Sequence, residues 1–444
     1  MIVLIDILPV LAHFATAFTA PTFLRVQTLV AAAILTPGRH TIANLIRNLG
    51  PFASADPGTY RRVLSAARWS AMELSCLLTQ LILLRFCPEG KLVLLGDDTV
   101  DGHRGKRVFG KGRHRDPVRS SQSHTVWRYG HKWIVLCILV RLPFAKRPWA
   151  LPIPVDLYTD SDTDRKLGRP HRTPIQRMIR LLRFVHRRVP DRELVFVGDG
   201  GFSSREMGRF CASKEIALVG KYAGDAALYR PPGPYGGRGR PRVKGAKLPS
   251  PSVVVSQSAA RRAVVDWYGS GRREVELVEG TGLWNRDGRG LLEVRWVFVR
   301  DVSGTHRDAY VYTTDMTLSA EAIVGHYTSR WNIETTFQEM RSYMGLETTQ
   351  GWCERTVLRS APCLFGLYSL VVLAYAELPE AVRKAGRGVE WVGKCTTTFS
   401  DCVRTVRQYI WREGLLRRLD SGGLLDQLSE EMRELLLDGL APAT

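Results

Sequence analysis

The spacing of apolar residues changes character along the chain. Residues 1–85 carry helical periodicity. The segment 41–50, TIANLIRNLG, has a threonine near its start and a glycine stop. After a Pro/Ala/Ser loop, a second amphipathic segment opens at Pro57-Gly-Thr-Tyr60 and carries Arg61, Arg62 and Arg68. Two short helices, the second one basic, fit a helix-turn-helix reader of the major groove. They fit an ordinary helical bundle with a solvated arginine face equally well. From Lys91 the runs shorten. LVLLG before Asp97, KWIVLCILVR at 132–141 and PWALPIPVDLY at 148–158 read as buried strands. A basic amphipathic helix over 173–188 follows. Next come a strand at 193–197 ending in Gly198-Asp199-Gly200-Gly201, a helix at 203–213 and a strand at 216–220. This order predicts an α/β fold: a mixed sheet flanked by helices, with Asp98 and Asp199 at or just past strand ends.

Residues 223–311 break the pattern. A lead-in rich in Gly, Pro and Arg gives way to β-like runs at 273–278 and 291–299, which predicts a β-rich insertion. A helix through Glu334 then returns the chain to the sheet. The expected organisation is a helical N-terminal DNA-binding region (1–88), a core in two parts (89–222 and 312–380) around the insertion (223–311), and a helical C-terminal region (381–444). The longest apolar run, APCLFGLYSLVVLAYAEL at 361–378, is marginal for a membrane span and reads better as a buried helix. The apolar N-terminus lacks a basic n-region and contains Asp6 and His13, so it is a poor signal peptide. A cytoplasmic protein with no membrane partner is expected.

Composition adds a partner class. The formal net charge is +20, which favours a polyanion, most simply nucleic acid. The positive charge comes from 51 Arg and only 12 Lys. Arginine grips phosphate in a bidentate fork and stacks on bases, although a GC-rich coding sequence produces the same bias. None of the eight cysteines forms a Cys-x-x-Cys pair, and no histidine cluster completes a zinc spacing, so reduced core thiols are expected.

The chemistry concentrates in three places. Tyr327, Arg330, Glu334 and Arg341 lie at offsets 0, 3, 7 and 14. At roughly 100° per residue they fall within about 60° of one another on a helix. One acid is thus flanked by phosphate-gripping groups. Asp97-Asp98 lies at one strand end and Asp199 in a glycine-rich turn after another. Neighbouring strand residues point to opposite faces, so only one of Asp97 and Asp98 faces a site; the reading favours Asp98, with Asp97 as the alternative. Such carboxylates suit Mg²⁺ or Mn²⁺, and two such ions serve phosphodiester chemistry. The loop His103–Arg115 packs Arg104, Lys106, Arg107, Lys111, Arg113 and Arg115 among glycines, as a phosphate clamp would. The Arg238–Lys247 run fits a clamp or a linker. His114, His124 and His131 read as structural, since two-metal chemistry needs no histidine base.

Together, strand-Asp-Asp-Thr, strand-Gly-Asp-Gly-Gly and Tyr-x-x-Arg-x-x-x-Glu-x-x-x-x-x-x-Arg resemble the bacterial insertion-sequence transposases of the DDE type. The resemblance covers about residues 90–380. Arg341 stands where the family has lysine, which keeps the charge but changes the geometry of the phosphate contact. The resemblance implies an RNase H-like core interrupted by a β-rich insertion. It implies that Asp98, Asp199 and Glu334 ligate two Mg²⁺ ions, with Tyr327, Arg330 and Arg341 on the phosphates of a transposon end. It further implies cleavage at terminal inverted repeats, strand transfer into double-stranded target DNA, and a homodimer that synapses two ends. A stacking aromatic from the insertion is expected, with Trp284, Trp296 and Tyr310 as candidates, although Trp296 in its strand reads better as a core residue. The competing readings are a related RNase H-like nuclease or recombinase and a catalytically inactive, domesticated DNA-binding protein.

Overall fold

The computed structural model describes residues 8–53, 55–116, 120, 123–237, 241–285, 290–386, 394, 396–416 and 427–442. Cys395 and residues 238–240 of the basic run at 238–247 lie outside the described residues.

Four N-terminal helices, α1 (Ala20–Leu35), α2 (Ile42–Leu49), α3 (Pro57–Ser65) and α4 (Ala71–Phe86), precede the sheet. Their ends follow sequence chemistry. The Thr41 hydroxyl accepts from the Asn44 amide, and the Asp56 carboxylate caps α3 through the Gly58 amide. Arg61, Arg62 and Arg68 are exposed, whereas Tyr60 and Val63 turn into the core.

The sheet is a single one, ordered β2-β3-β1-β5-β6-β11-β10-β9-β7, with β4 paired to β3 and β8 to β9. Its strands are β1 (Leu92–Gly102), β2 (Gly112–Arg115), β3 (Trp127–Val140), β4 (Trp149–Tyr158), β5 (Leu194–Gly198), β6 (Ile216–Lys221), β7 (Leu228–Tyr229), β8 (Arg261–Asp266), β9 (Arg272–Asn285), β10 (Leu291–Asp301) and β11 (Ala309–Thr313). β1, β5 and β6 are parallel, and the remaining pairs are antiparallel. The β-rich segment therefore extends the core sheet through β11, which pairs with β6. Helices α5 (Ser161–Lys166), α6 (Pro174–His186) and α7 (Arg205–Ala212) lie between β4 and β6 in sequence, and α8 (Pro251–Gln257) precedes β8. The capping box at Thr173 and Gln176 starts α6.

Two local features differ from expectation. β1 runs on past Asp97-Asp98 to Gly102, because β3 continues to pair with it after its parallel pairing with β5 ends at Gly96. The expected helix through 327–341 is two helices, α9 (Ala320–Ser329) and α10 (Trp331–Tyr343). At the joint, backbone bonds span three residues, Arg330 to Tyr327 and Ile333 to Arg330, so the turn tightens there.

The long helix α11 (Glu354–Glu377) packs against β4 and α4 with Phe365, Tyr368, Val371 and Tyr375 buried. Two-thirds of its most apolar window is buried in the protein, as expected of a core helix. The described C-terminal α-helices are Glu380–Ala385, Phe399–Tyr409 and Glu430–Leu440, with a π-helical turn at Ile410–Leu416 after the second.

Where β1 meets β3, Gly130 pairs with Gly102, and a methyl group on Gly130 would lie 2.0 Å from the Asp101 carbonyl oxygen. Backbone cannot yield as a side chain can. Gly130→Ala is expected to cost about 1–3 kcal/mol, read as a lowered urea midpoint with unchanged m-value.

Candidate functional site

Register explains how the acids meet. The parallel pairing of β1 with β5 ends at Gly96 and Gly198, so Asp97 and Asp199 are the next residues on neighbouring strands. Asp199 closes its own turn, with Oδ1 accepting from the Gly201 amide at 2.9 Å and the Phe202 amide at 3.1 Å.

Alternation along β1 sorts its polar residues. Asp97, Thr99 and Asp101 share the face toward α10. The Arg330 guanidinium, at the α9–α10 joint, reaches Asp97 Oδ2 at 2.9 Å and Glu334 Oε1 at 2.8 Å. One arginine thus links the acid of β1 to the acid of α10. Asp98 points the other way and pairs with Lys132 on β3 at 2.8 Å. Of the two neighbours, the alternative Asp97 meets Arg330, which also holds Glu334, and the favoured Asp98 meets Lys132; the charge of Asp199 acts on both.

α10 is fixed from behind. The Thr336 hydroxyl donates to the Ala150 carbonyl at 2.8 Å, and Glu339 joins Arg147 at 3.0 Å and the Tyr368 hydroxyl at 2.6 Å. These bonds set the pitch at which Glu334 is presented. Its side chain is 45% exposed, so it remains open to a ligand.

Charge in the site is frustrated. Burial, aided by repulsion from Asp199 and Asp98, pushes the Asp97 carboxyl up to about 7, against the pull of Arg330. Burial also raises Asp98, opposed by Lys132. Burial raises the Tyr327 hydroxyl too. The cluster offers oxygen ligands only, and its repulsion is what a bound cation relieves. The residues therefore fit Mg²⁺ or Mn²⁺.

A pH dependence follows. Asp97 stays largely protonated below about pH 7, and a cation held by it would need it ionised. Mn²⁺ affinity should fall about tenfold per unit below about pH 7 and level off above about pH 8. Calorimetric titration across that range checks it; pH-independent affinity removes Asp97 from the binding step. The same shift bears on folding. The folded state keeps this proton to higher pH than the unfolded chain, so Asp97 favours folding at acid pH, and that help is lost as pH rises to about 7.

Arg341 has a defined place. Its guanidinium donates to the Thr99 hydroxyl and meets Glu347 at 2.7 Å, while Arg128 also binds Glu347. It therefore fastens the end of α10 to β1 as well as carrying charge. Tyr327 sits on α9, half-buried, one turn from Arg330.

In the basic loop, Arg104, Lys106, Arg107, Arg113 and Arg115 are exposed and Lys111 is half-buried. None of the six makes an ion pair among the described residues. Residues 112–115 form the edge strand β2, and Arg113 lies 4.2 Å over the Trp127 ring.

Of the candidate stacking aromatics one is buried and two are half-buried against other rings. Trp296 is buried, Trp284 lies against Tyr222 and Tyr312, and Tyr310 lies against Phe298. Sequence reading missed Trp331, 42% exposed between Arg330 and Glu334 and edge-on to Tyr268. Its place inside the signature was the available signal. Lys132 was missed as well, because only strand pairing brings it to Asp98.

Residues 13–274, more than half of the chain, match the family of the DDE superfamily endonuclease. The chain belongs to the DDE superfamily endonucleases. Residues 246–378, which include α10 and Glu334, match the archaeal ISC1217-type transposase family. No curated protein matches the chain. The two matches overlap and run from 13 to 378, across both aspartate strands and the glutamate helix. The mixed α/β sheet with its helices fits the RNase H-like core of an insertion-sequence DDE transposase, and the chain is a transposase-type nuclease.

Proposed function

We propose that this DDE endonuclease cleaves DNA at the ends of a mobile element and joins the freed 3′ ends to target DNA. The carrying observation is Arg330 bridging Asp97 and Glu334, with Asp199 next along the adjoining strand. In this reading Asp97, Asp199 and Glu334 hold two Mg²⁺ or Mn²⁺ ions, and Asp98 helps through Lys132. Bound ions would activate the attacking oxygen and stabilise the leaving one. Arg330 then gives up its carboxylates and takes a phosphate of the DNA end. Tyr327, from the preceding turn, contacts the neighbouring phosphate. Arg341 sets the pitch of α10 against Thr99, and its charge draws the backbone. The loop carrying Arg104, Lys106, Arg107, Lys111, Arg113 and Arg115 binds the flanking duplex through its phosphates. The reaction belongs in the cytoplasm, on terminal inverted repeats, with two copies of the chain holding two ends.

The test incubates the protein with Mg²⁺ or Mn²⁺ and labelled DNA that spans the boundaries of its own gene. Cuts at flanking inverted repeats that disappear in Asp199→Asn and Glu334→Gln support the reading. Equal cutting by both variants sinks it, and cutting without end joining turns it into a nuclease.

A further inference from the structure

Beyond Asp97 and Thr99, the same face of β1 carries Asp101 and leads on to His103. Antiparallel pairing sets His131 directly opposite Asp101. Ligand atoms of these three residues lie within 4.8 Å of one another. The His103 and His131 rings are 4.4 Å apart, and His103 Nε2 is 3.2 Å from Asp101 Oδ2. Asp101 is 1% exposed, yet its Oδ1 has no hydrogen-bond partner among the described residues. A buried carboxylate oxygen without a donor is costly, and a cation is one remedy.

His131 is oriented from outside the cluster. Its Nε2 lies 2.8 Å from the Phe109 carbonyl, which only accepts, so that nitrogen carries the proton. Nδ1 is then the nitrogen that offers a lone pair. A backbone carbonyl fixing a histidine tautomer in this way is the usual outer support of a metal ligand. Trp133 stands edge-on to the ring and walls the cluster on that side.

We propose that Asp101, His103 and His131 form a second metal site, for a borderline divalent ion of the Zn²⁺ class, that ties the basic loop to the sheet. Two imidazoles and one carboxylate suit Zn²⁺ and its neighbours better than Mg²⁺, with water completing the shell. The ion takes the place of the hydrogen bond between His103 Nε2 and Asp101 Oδ2, and the neutral imidazole then carries its one ring proton on Nδ1. The site lies about 13 Å along β1 from Asp97, four strand residues away, so it is separate from the acidic cluster. It holds the loop at its start and at its middle. His103 begins it, and Phe109, inside it, bonds both His131 and the Trp352 carbonyl. The spacing rule for zinc missed the site because its ligands come from two paired strands, with His131 twenty-eight residues after His103.

Co²⁺ added to the full-length protein in excess Mg²⁺ serves as the optical probe. The expected result is one equivalent bound with a low-symmetry visible absorption, in wild type and in Asp199→Asn alike. His103→Gln, a half-buried position, should weaken Co²⁺ binding by about tenfold or more, as should Asp101→Asn, with circular dichroism reporting the fold. Trypsin should cut after Arg104, Lys106 and Arg107 more slowly once Zn²⁺ is present, in wild type but not in His103→Gln. Wild-type protein that takes up no Co²⁺ in excess Mg²⁺, or a folded His103→Gln that binds it as tightly as wild type, overturns the site. Loss of the Co²⁺ signal in Asp199→Asn overturns its separateness, and Zn²⁺-independent trypsin cutting overturns its hold on the loop.

Discussion

Asp97→Asn should lower DNA cleavage by about 10³-fold or more, since a lost metal ligand forfeits several kcal/mol of transition-state stabilisation. Asp98→Asn should lower it by about tenfold at most. The contrast rests on β1. Alternation gives Asp97 the face of Arg330 and Glu334, and gives Asp98 to Lys132. Asn keeps the size of Asp, so the change is in charge, and burial already opposes the charge of Asp97. Asp97→Asn should consequently melt no lower than wild type near pH 8, where ionised Asp97 costs folding free energy. Single-turnover cleavage of an end fragment, beside binding in Ca²⁺, separates chemistry from affinity. If Asp98→Asn is the dead variant and Asp97→Asn cuts normally, the assignment of the first acid is reversed.

The sequence announced much of this arrangement, with limits that have physical causes. Apolar runs located the strands near 132–141, 148–158 and 193–197 within a few residues of β3, β4 and β5, because buried strands read as continuous Val, Leu and Ile. The signature from Tyr327 to Arg341 likewise announced an acid among arginines. The preference for Asp98 over Asp97 had no phase to rest on, because a run of apolar residues on both faces of β1 carries no alternation. The break at Arg330 left no glycine or proline as a marker. Arg341 reads in sequence as a replacement for a phosphate-binding lysine. In the fold its planar fork spans Thr99 and Glu347, two contacts that a single ammonium on a flexible stem does not hold together as well. The aromatic candidates were ambiguous for a similar reason, and core packing was already the favoured role for Trp296. A tryptophan in a β-run is as good a core residue as a base-stacking one, and Trp296 lies over Gly280 in the core.

Binding to end DNA should fall by about 10³-fold or more as salt rises from about 50 to about 200 mM, the behaviour of a protein that neutralises some six to ten phosphates. In the proposed reading the basic loop supplies most of that number. Arg104, Lys106 and Arg107 stand exposed on it with no carboxylate partner among the described residues, so their charge is available to a phosphate without first breaking an ion pair. Arg330 differs, since it must leave Asp97 and Glu334 before it adds to the count. Replacing Arg104, Lys106 and Arg107 together by Gln should therefore reduce the slope of log affinity against log salt by about three, with little change in preference between end and unrelated DNA. Replacing Arg330 by Gln in metal-free protein should leave that slope nearly unchanged, and should lower it by about one once Mn²⁺ has taken the carboxylates. Fluorescence anisotropy on a labelled duplex at several salt concentrations, with and without Mn²⁺, reads all three slopes. A triple variant with the wild-type slope would move the duplex off the loop. An Arg330→Gln slope that ignores Mn²⁺ would mean that the arginine never passes from carboxylate to phosphate.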